Sequence, residues 1–159
     1  GDSSYEKKGF HRVLNLIETM TDFNFCLVMK DDTTLDTIPS HSRDRVRIFN
    51  KVDADTVRLL MNSCICGICT SGEEEGHYCG IELGACNIPM VSRPMGRYLD
   101  NEDGLGMWGE LAEDEDFPET IRKVVENKDS YSPREYYSKE YTYERFREKW
   151  TSVLEEFVV

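Results

Sequence analysis

The residues whose types and spacing suit chemistry lie between Thr70 and Val91, in the run Thr-Ser-Gly-Glu-Glu-Glu-Gly-His-Tyr-Cys-Gly-Ile-Glu-Leu-Gly-Ala-Cys-Asn-Ile-Pro-Met-Val. The carboxylates Glu73, Glu74 and Glu75 are followed by Gly76, His77 and Tyr78, and Glu82 comes further on. If a short helix runs from Tyr78 to Cys86, Gly76 and its neighbours stand where backbone N–H groups have no acceptor within the helix, which makes an anion site. Three consecutive glutamates taken alone read as a solvated loop. Because histidine titrates near neutrality as a residue type, a general base or a metal ligand is open to His77. At a helix start with no second partner nearby it reads better as a structural residue or a phosphate neighbour.

Two further groups invite chemistry. Cys64, Cys66 and Cys69, with Cys79 and Cys86 beyond them, suggest zinc because thiolates are good ligands. The first three lie in an apolar run that reads as a strand, where alternate side chains face opposite sides and cannot all converge. Buried free thiols are the better account. Asp31 and Asp32 after a strand suggest a phosphoacceptor pocket as in receiver domains, but nothing else at the expected places supports it.

The elements that must position these residues alternate between helix and strand. Tyr5 to Thr21 carries Phe10, Val13, Leu14, Ile17 and Met20 at helical spacing. Phe23 to Met29 reads as a strand, Lys30 to Asp44 as a polar exposed loop containing Pro39, and Val46 to Phe49 as a short strand. Asp53 caps a helix to Asn62 with Val57, Leu60 and Met61 inward. Cys64 to Cys69 is the strand that feeds the acidic turn. Asn87 stops the following helix, and Ile88 to Val91 is the next strand. Asp100 to Gly104 is a turn before Leu105 to Leu111, and Asp116-Phe117-Pro118-Glu119 starts a helix with Ile121, Val124 and Val125 on one face. The last helix, about Tyr141 to Phe157, aligns Tyr143, Phe146, Trp150, Val153, Leu154 and Phe157, and such a stripe should pack hard against something. This order argues for an α/β fold, a parallel sheet with helices on both faces and ligands at the carboxyl ends of the strands.

Composition narrows the partners. The chain has 159 residues, enough for one domain with a real core. Its 31 acidic and 19 basic residues give a net charge of −12, which disfavours nucleic acid and anionic membrane surfaces as general partners. Any phosphate site must therefore be local and built largely from backbone. No apolar run approaches the roughly 18 residues of a transmembrane segment, no signal peptide is evident, and the six cysteines in mostly apolar context point to a reducing, cytoplasmic compartment.

The run from Glu74 to Val91 resembles the donor-binding signature of the GT-B-fold glycosyltransferases of group 1, the retaining enzymes of family four, whose usual form is Ser-x-x-Glu-Gly-Phe-Gly-x-x-x-x-Glu-Ala-x-Ala-x-Gly-x-Pro-Val-Val. Glu82, Ala85, Cys86, Pro89 and Val91 fall in step. In the first half Glu74 has the family's seven-residue spacing to Glu82 but is followed by Glu75. Glu75 is followed by Gly76, as in the family, but leaves only six. Glu6-Lys7-Lys8-Gly9-Phe10 is similar to the family's Glu-Lys-Gly segment, and the order of elements is similar to the carboxyl-terminal half of these enzymes over nearly the whole chain.

The resemblance implies a single Rossmann-like domain over 1–159, a three-layer parallel sheet forming the donor-binding half, with the amino-terminal acceptor domain absent from this chain. It implies transfer of a hexose from a nucleotide diphosphate sugar, with retention, no obligatory metal and no cofactor, to a glycan or lipid-linked acceptor bound by the missing domain. Residue by residue, Glu82 matches the glutamate that binds the ribose hydroxyls, and Glu74 or Glu75 the catalytic glutamate near the donor sugar. Gly76, His77 and Tyr78 match the loop at the distal phosphate, and Lys8 the lysine that offsets diphosphate charge as the leaving group departs. Ser3 stands where the family has an arginine, which leaves a non-catalytic nucleotide-sugar or protein-interaction module as the alternative. A nucleotide-sugar epimerase on the same fold is the third.

Overall fold

A computed structural model of the protein describes residues 7–30, 32–72, 78–96, 98 and 104–157, without the side chains of 156 and 157. The first helix, α1 (Phe10–Thr19), buries Leu16 and Ile17, as its apolar period requires. It starts at Phe10, the first residue of the apolar spacing, because Gly9 ahead of it is in the left-handed region, φ 68°. Strand β1 (Phe25–Met29) pairs in parallel with β2 (Val46–Asn50), Phe25 opposite Val46 and Met29 opposite Asn50.

The segment joining them is mostly exposed, as expected, but it is neither irregular throughout nor detached from the core. It holds two 3-10 turns, Leu35–Thr37 and Ser40–Arg45, and buries Thr33, Ile38 and Ser42. Arg45 ties it down by donating to the carbonyls of Ile17, Met20 and Phe23 at 2.8 to 3.0 Å. Buried carbonyls need donors, and one guanidinium supplies three.

Helix α2 (Ala54–Asn62) begins at Asp53, whose Oδ1 accepts the Thr56 N–H at 2.7 Å. Strand β3 (Gly67–Cys69) is shorter than the Cys64 to Cys69 run, since Cys64 N–H still donates to Met61 O at the helix end. Helix α3 (Tyr78–Ala85) is followed by β4 (Met90–Ser92), and β5 is Gly109–Leu111. A Cβ at Gly109 would stand 1.9 Å from Met90 O, so only glycine lets β5 approach β4. Both pairings, β3 with β4 and β4 with β5, are parallel.

Among the described residues, hydrogen bonding joins the strands into two parallel sets, β1–β2 and β3–β4–β5. A single core spans the division: Phe25 and Val46 pack with Val91, and with Leu16 and Ile17 of α1 and Phe117, Ile121 and Val124 of α4 (Phe117–Glu126). A second cluster, including Leu83, Met90, Tyr98, Trp108, Tyr136 and Tyr137, involves α3 and α5 (Pro133–Glu140). The result is the three-layer α/β arrangement, helices against parallel strands. Helix α5 has no apolar period; its buried face is the aromatic pair Tyr136 and Tyr137. The last helix, α6 (Tyr143–Phe157), does not pack as its stripe suggests: Tyr143 is 73 %, Phe146 59 % and Trp150 53 % exposed. None of the six cysteines forms a disulfide, and only Cys69 is buried, while Cys26 and Cys79 are exposed. Burial pushes the Cys66 thiol up to about 12.

Candidate functional site

The parallel register Cys69–Ser92–Leu111 brings the carboxyl ends of β3, β4 and β5 to one edge, so Thr70, Arg93 and Ala112 emerge together. This is where ligands sit in open parallel sheets. Thr70 and Ser71 are buried there, with exposures of 4 % and 5 %.

The turn at residues 7–9 closes onto this edge. Thr70 Oγ1 donates to Gly9 O at 3.1 Å and to Lys8 O at 3.5 Å, and Gly72 N–H donates to Lys7 O at 2.7 Å. The approach is so close that a Cβ on Gly9 would stand 1.9 Å from Thr70 O. Lys8 itself is exposed. Two stretches about 60 residues apart in sequence are thereby joined by hydrogen bonds to backbone carbonyls.

Helix α3 is laid flat by its glycines. A Cβ on Gly84 would meet Tyr137 Cδ2 at 2.0 Å, and one on Gly67 of β3 would meet Leu83 Cδ1 at 2.3 Å. With Gly80, Leu83 and Gly84 buried, Tyr78 and Glu82 share the outward face, four residues apart. Tyr78 is 75 % exposed. The Glu82 carboxylate is exposed on the same helix, which leaves it open to solvent or a ligand. Asn87 ends the helix with φ 61° at the position where the resembled signature has glycine, and its Oδ1 accepts the Arg134 N–H at 3.2 Å. Glu74, Glu75, Gly76 and His77 lie outside the described residues.

The structure adds residues that sequence reading missed. Arg12, one helical turn beyond Lys8, places Nε 2.6 Å from Asp114 Oδ2 and directs Nη1 towards Thr70 O at 3.5 Å. Arg93, directly after β4, places Nε 2.9 Å from the other oxygen, Asp114 Oδ1, and Nη2 3.5 Å from Glu113 Oε2. The Arg93 contact is ionic but off the N–H axis, so that N–H has no aligned acceptor. A cavity of about 210 Å³ opens between α1 and the start of α4, lined by Arg12, His11, Asn15, Thr70, Asp114 and Phe117. A wider depression of about 540 Å³ beside Pro94 is lined by Glu113, Asp116 and Glu119 against a single Lys123, a poor match for an anion. The signal available in the sequence was positional: Arg93 immediately follows a strand, and Arg12 stands at i+4 from Lys8. Among the described residues no three His, Cys, Asp or Glu side chains are grouped closely enough to hold a metal ion, and no helix is long and apolar enough to cross a membrane.

No protein-family model and no curated protein sequence matches the chain. Solved structures do. Anabaena Alr3699/HepE in complex with UDP-glucose superposes with a TM-score of 0.73 at 17 % identity, covering 95 % of this chain and 46 % of HepE. Sucrose-phosphate synthase from Thermosynechococcus elongatus gives 0.72 at 14 % identity over 96 % of this chain and 43 % of its own. WaaG, a glycosyltransferase involved in lipopolysaccharide biosynthesis, gives 0.64 at 14 % identity over 84 % and 40 %. At these identities the likeness is one of fold, and the chain spans less than half the length of each neighbour. The protein therefore has the α/β fold of the GT-B glycosyltransferases, over a length consistent with their carboxyl-terminal half.

Proposed function

We propose that the chain is the donor-binding half of a retaining glycosyltransferase that moves a hexose from a nucleotide diphosphate sugar to a glycan or lipid-linked acceptor. The observation that carries this is the seating of the 7–9 turn on Thr70–Gly72 at the carboxyl edge of β3, with Glu82 exposed on the helix that follows. A neighbour of the same fold was solved with UDP-glucose, which supports a nucleotide-sugar ligand here. In this reading Glu82 accepts the ribose hydroxyls, and Lys8 offsets diphosphate charge as the leaving group departs. Gly76, His77 and Tyr78 border the distal phosphate, and Glu74 or Glu75 faces the donor sugar. The acceptor would come from a second domain, so the isolated chain binds donor without turning it over. Six cysteines without a disulfide among them suit a cytoplasmic setting.

The test is titration with UDP, GDP and ADP and their sugars, followed by heat or amide shifts, beside Glu82→Ala. Because Glu82 is exposed, its removal leaves folding intact, and affinity for the preferred nucleotide falls by about 1–3 kcal/mol. Equal affinity in the variant removes the ribose role. Transfer by the isolated chain would refute the two-half account.

A further inference from the structure

We propose that Arg12, oriented by Asp114, anchors a phosphoryl-binding pocket between α1 and the start of α4, a site separate from the Glu82 face of α3. Arg12 and Asp114 both line the 210 Å³ cavity, together with the polar side chains of His11, Asn15 and Thr70. The volume is that of about seven waters at roughly 30 Å³ each, room for a phosphoryl group and part of its hydration.

The donor arrangement favours an anion. Asp114 holds Arg12 by Nε, the edge that fixes the plane of the guanidinium. Of the Nη groups, Nη1 has only the Thr70 carbonyl at 3.5 Å, and Nη2 has no partner among the described residues. A planar guanidinium fixed by one edge presents its remaining N–H groups in the fork that phosphoryl oxygens accept. The Arg12 side chain is only 22 % exposed, so it is already ordered by its packing.

The acidic member of the wall is neutralised from behind. Arg93 stands against the second oxygen of Asp114 at 2.9 Å and does not line the cavity. The carboxylate therefore meets two cations, and an anion entering from the cavity side faces Arg12 rather than a bare negative charge. Arg93 and Asp114 are positioning residues in this scheme. A purely structural clamp would need the ion pairs but neither the open Nη groups nor a cavity that sets His11, Asn15 and Thr70 beside them.

The proposal rests on Arg12 and its cavity, not on the nucleotide reading, and the two fail separately. Pyrophosphate added to the whole chain should move the amides of 11–16, 70 and 113–114, with affinity lowered at least about tenfold by Arg12→Gln, as expected for loss of a charge-assisted hydrogen bond. Arg12→Lys, which keeps charge and loses the fork, should fall between, and it carries the test if Arg12→Gln does not fold. Arg93→Gln should weaken binding less than Arg12→Gln, and Arg93→Lys should restore it, whereas Glu82→Ala should leave pyrophosphate binding unchanged. Displacement of pyrophosphate by UDP would assign the site to a donor diphosphate; simultaneous binding of both would assign it to a second phosphorylated ligand. Shifts confined to other residues, no shift in the unmodified chain, or unchanged affinity in a folded Arg12→Gln variant would overturn it.

Discussion

Replacing Gly9 by alanine tests the joint on which the site depends. Gly9 has φ 68°, and a Cβ there would lie 1.9 Å from Thr70 O and 2.7 Å from its carbonyl carbon. Gly106 offers a matched control, since its φ is 80° but nothing lies within 4 Å of its Cβ. Gly106→Ala should therefore cost only the left-handed backbone term, about 1–2 kcal/mol. Gly9→Ala carries the same term and must also push apart α1 and the end of β3, adding about 1–3 kcal/mol for overpacking. At this chain length each kcal/mol lowers the melting temperature by about 2–4 °C, so Gly9→Ala should melt about 2–12 °C below Gly106→Ala. Urea unfolding of both variants gives the free energies, and a nucleotide titration of Gly9→Ala reads whether Lys8 has moved. If the two glycines cost the same within about 0.5 kcal/mol, the 7–9 turn is not seated on Thr70, and the site loses its frame.

Three other outcomes follow from named contacts. The backbone N–H of Thr56 holds the Asp53 carboxyl below its ordinary 3.8; because the folded value is the lower one, the cap's contribution is complete above that pH and fades as pH falls through the folded value. Thermal melts should accordingly show an Asp53→Ala deficit at pH 7 that shrinks in acid, and a deficit independent of pH would contradict the cap. Phe146→Gln and Trp150→Gln, on the exposed stripe of α6, should change the stability of the chain by less than about 0.5 kcal/mol, against about 3–5 kcal/mol for Trp108→Ala in the core; a large loss at Phe146 would show that α6 is packed in solution. Raising salt should change UDP affinity only slightly, because weakening the attraction of the single exposed Lys8 is opposed by screening of the repulsion from the net charge of −12. A steep loss measured by calorimetry would instead place the ligand on several exposed cations.

The parallel α/β order was readable because α1 and α4 each show one apolar face and the short strands between them are bounded by turn residues. Asp53 and Asn87 were readable because cap and left-handed stop are local chemistry, decided within four residues. The exposure of most of the loop from 30 to 44 was readable from its polarity, but the anchoring of Ile38 and Ser42 was not. That anchoring depends on Arg45 reaching carbonyls more than 20 residues earlier, which no local pattern records. The α6 stripe shows the converse: a helix period declares which side chains would pack, not that a partner surface is present. At the site, Glu82 and Lys8 were accessible through motif spacing, whereas the Arg12–Asp114–Arg93 contacts join residues about 100 and 20 apart and became visible only once three strand ends shared an edge.

That shared edge also explains how an acidic chain can present cationic chemistry. Parallel pairing sends every crossover back to the same side, so the residues after β3, β4 and β5 meet whatever their separation in sequence. The meeting point gathers the 7–9 turn, Arg12 and Arg93, while Asp114 and Glu113 from the loop after β5 compensate the two arginines. Compensation costs little of what an anion needs. Nη donors stay directional after the net charge is cancelled, and directional donors hold a ligand at short range, where the field of distant surface carboxylates is weakest relative to the contact. Selectivity at such an edge comes from donor geometry, and that geometry is set by the glycines: Gly9 lets α1 touch β3, and Gly109 lets β5 reach β4 so that Asp114 can stand between two guanidiniums.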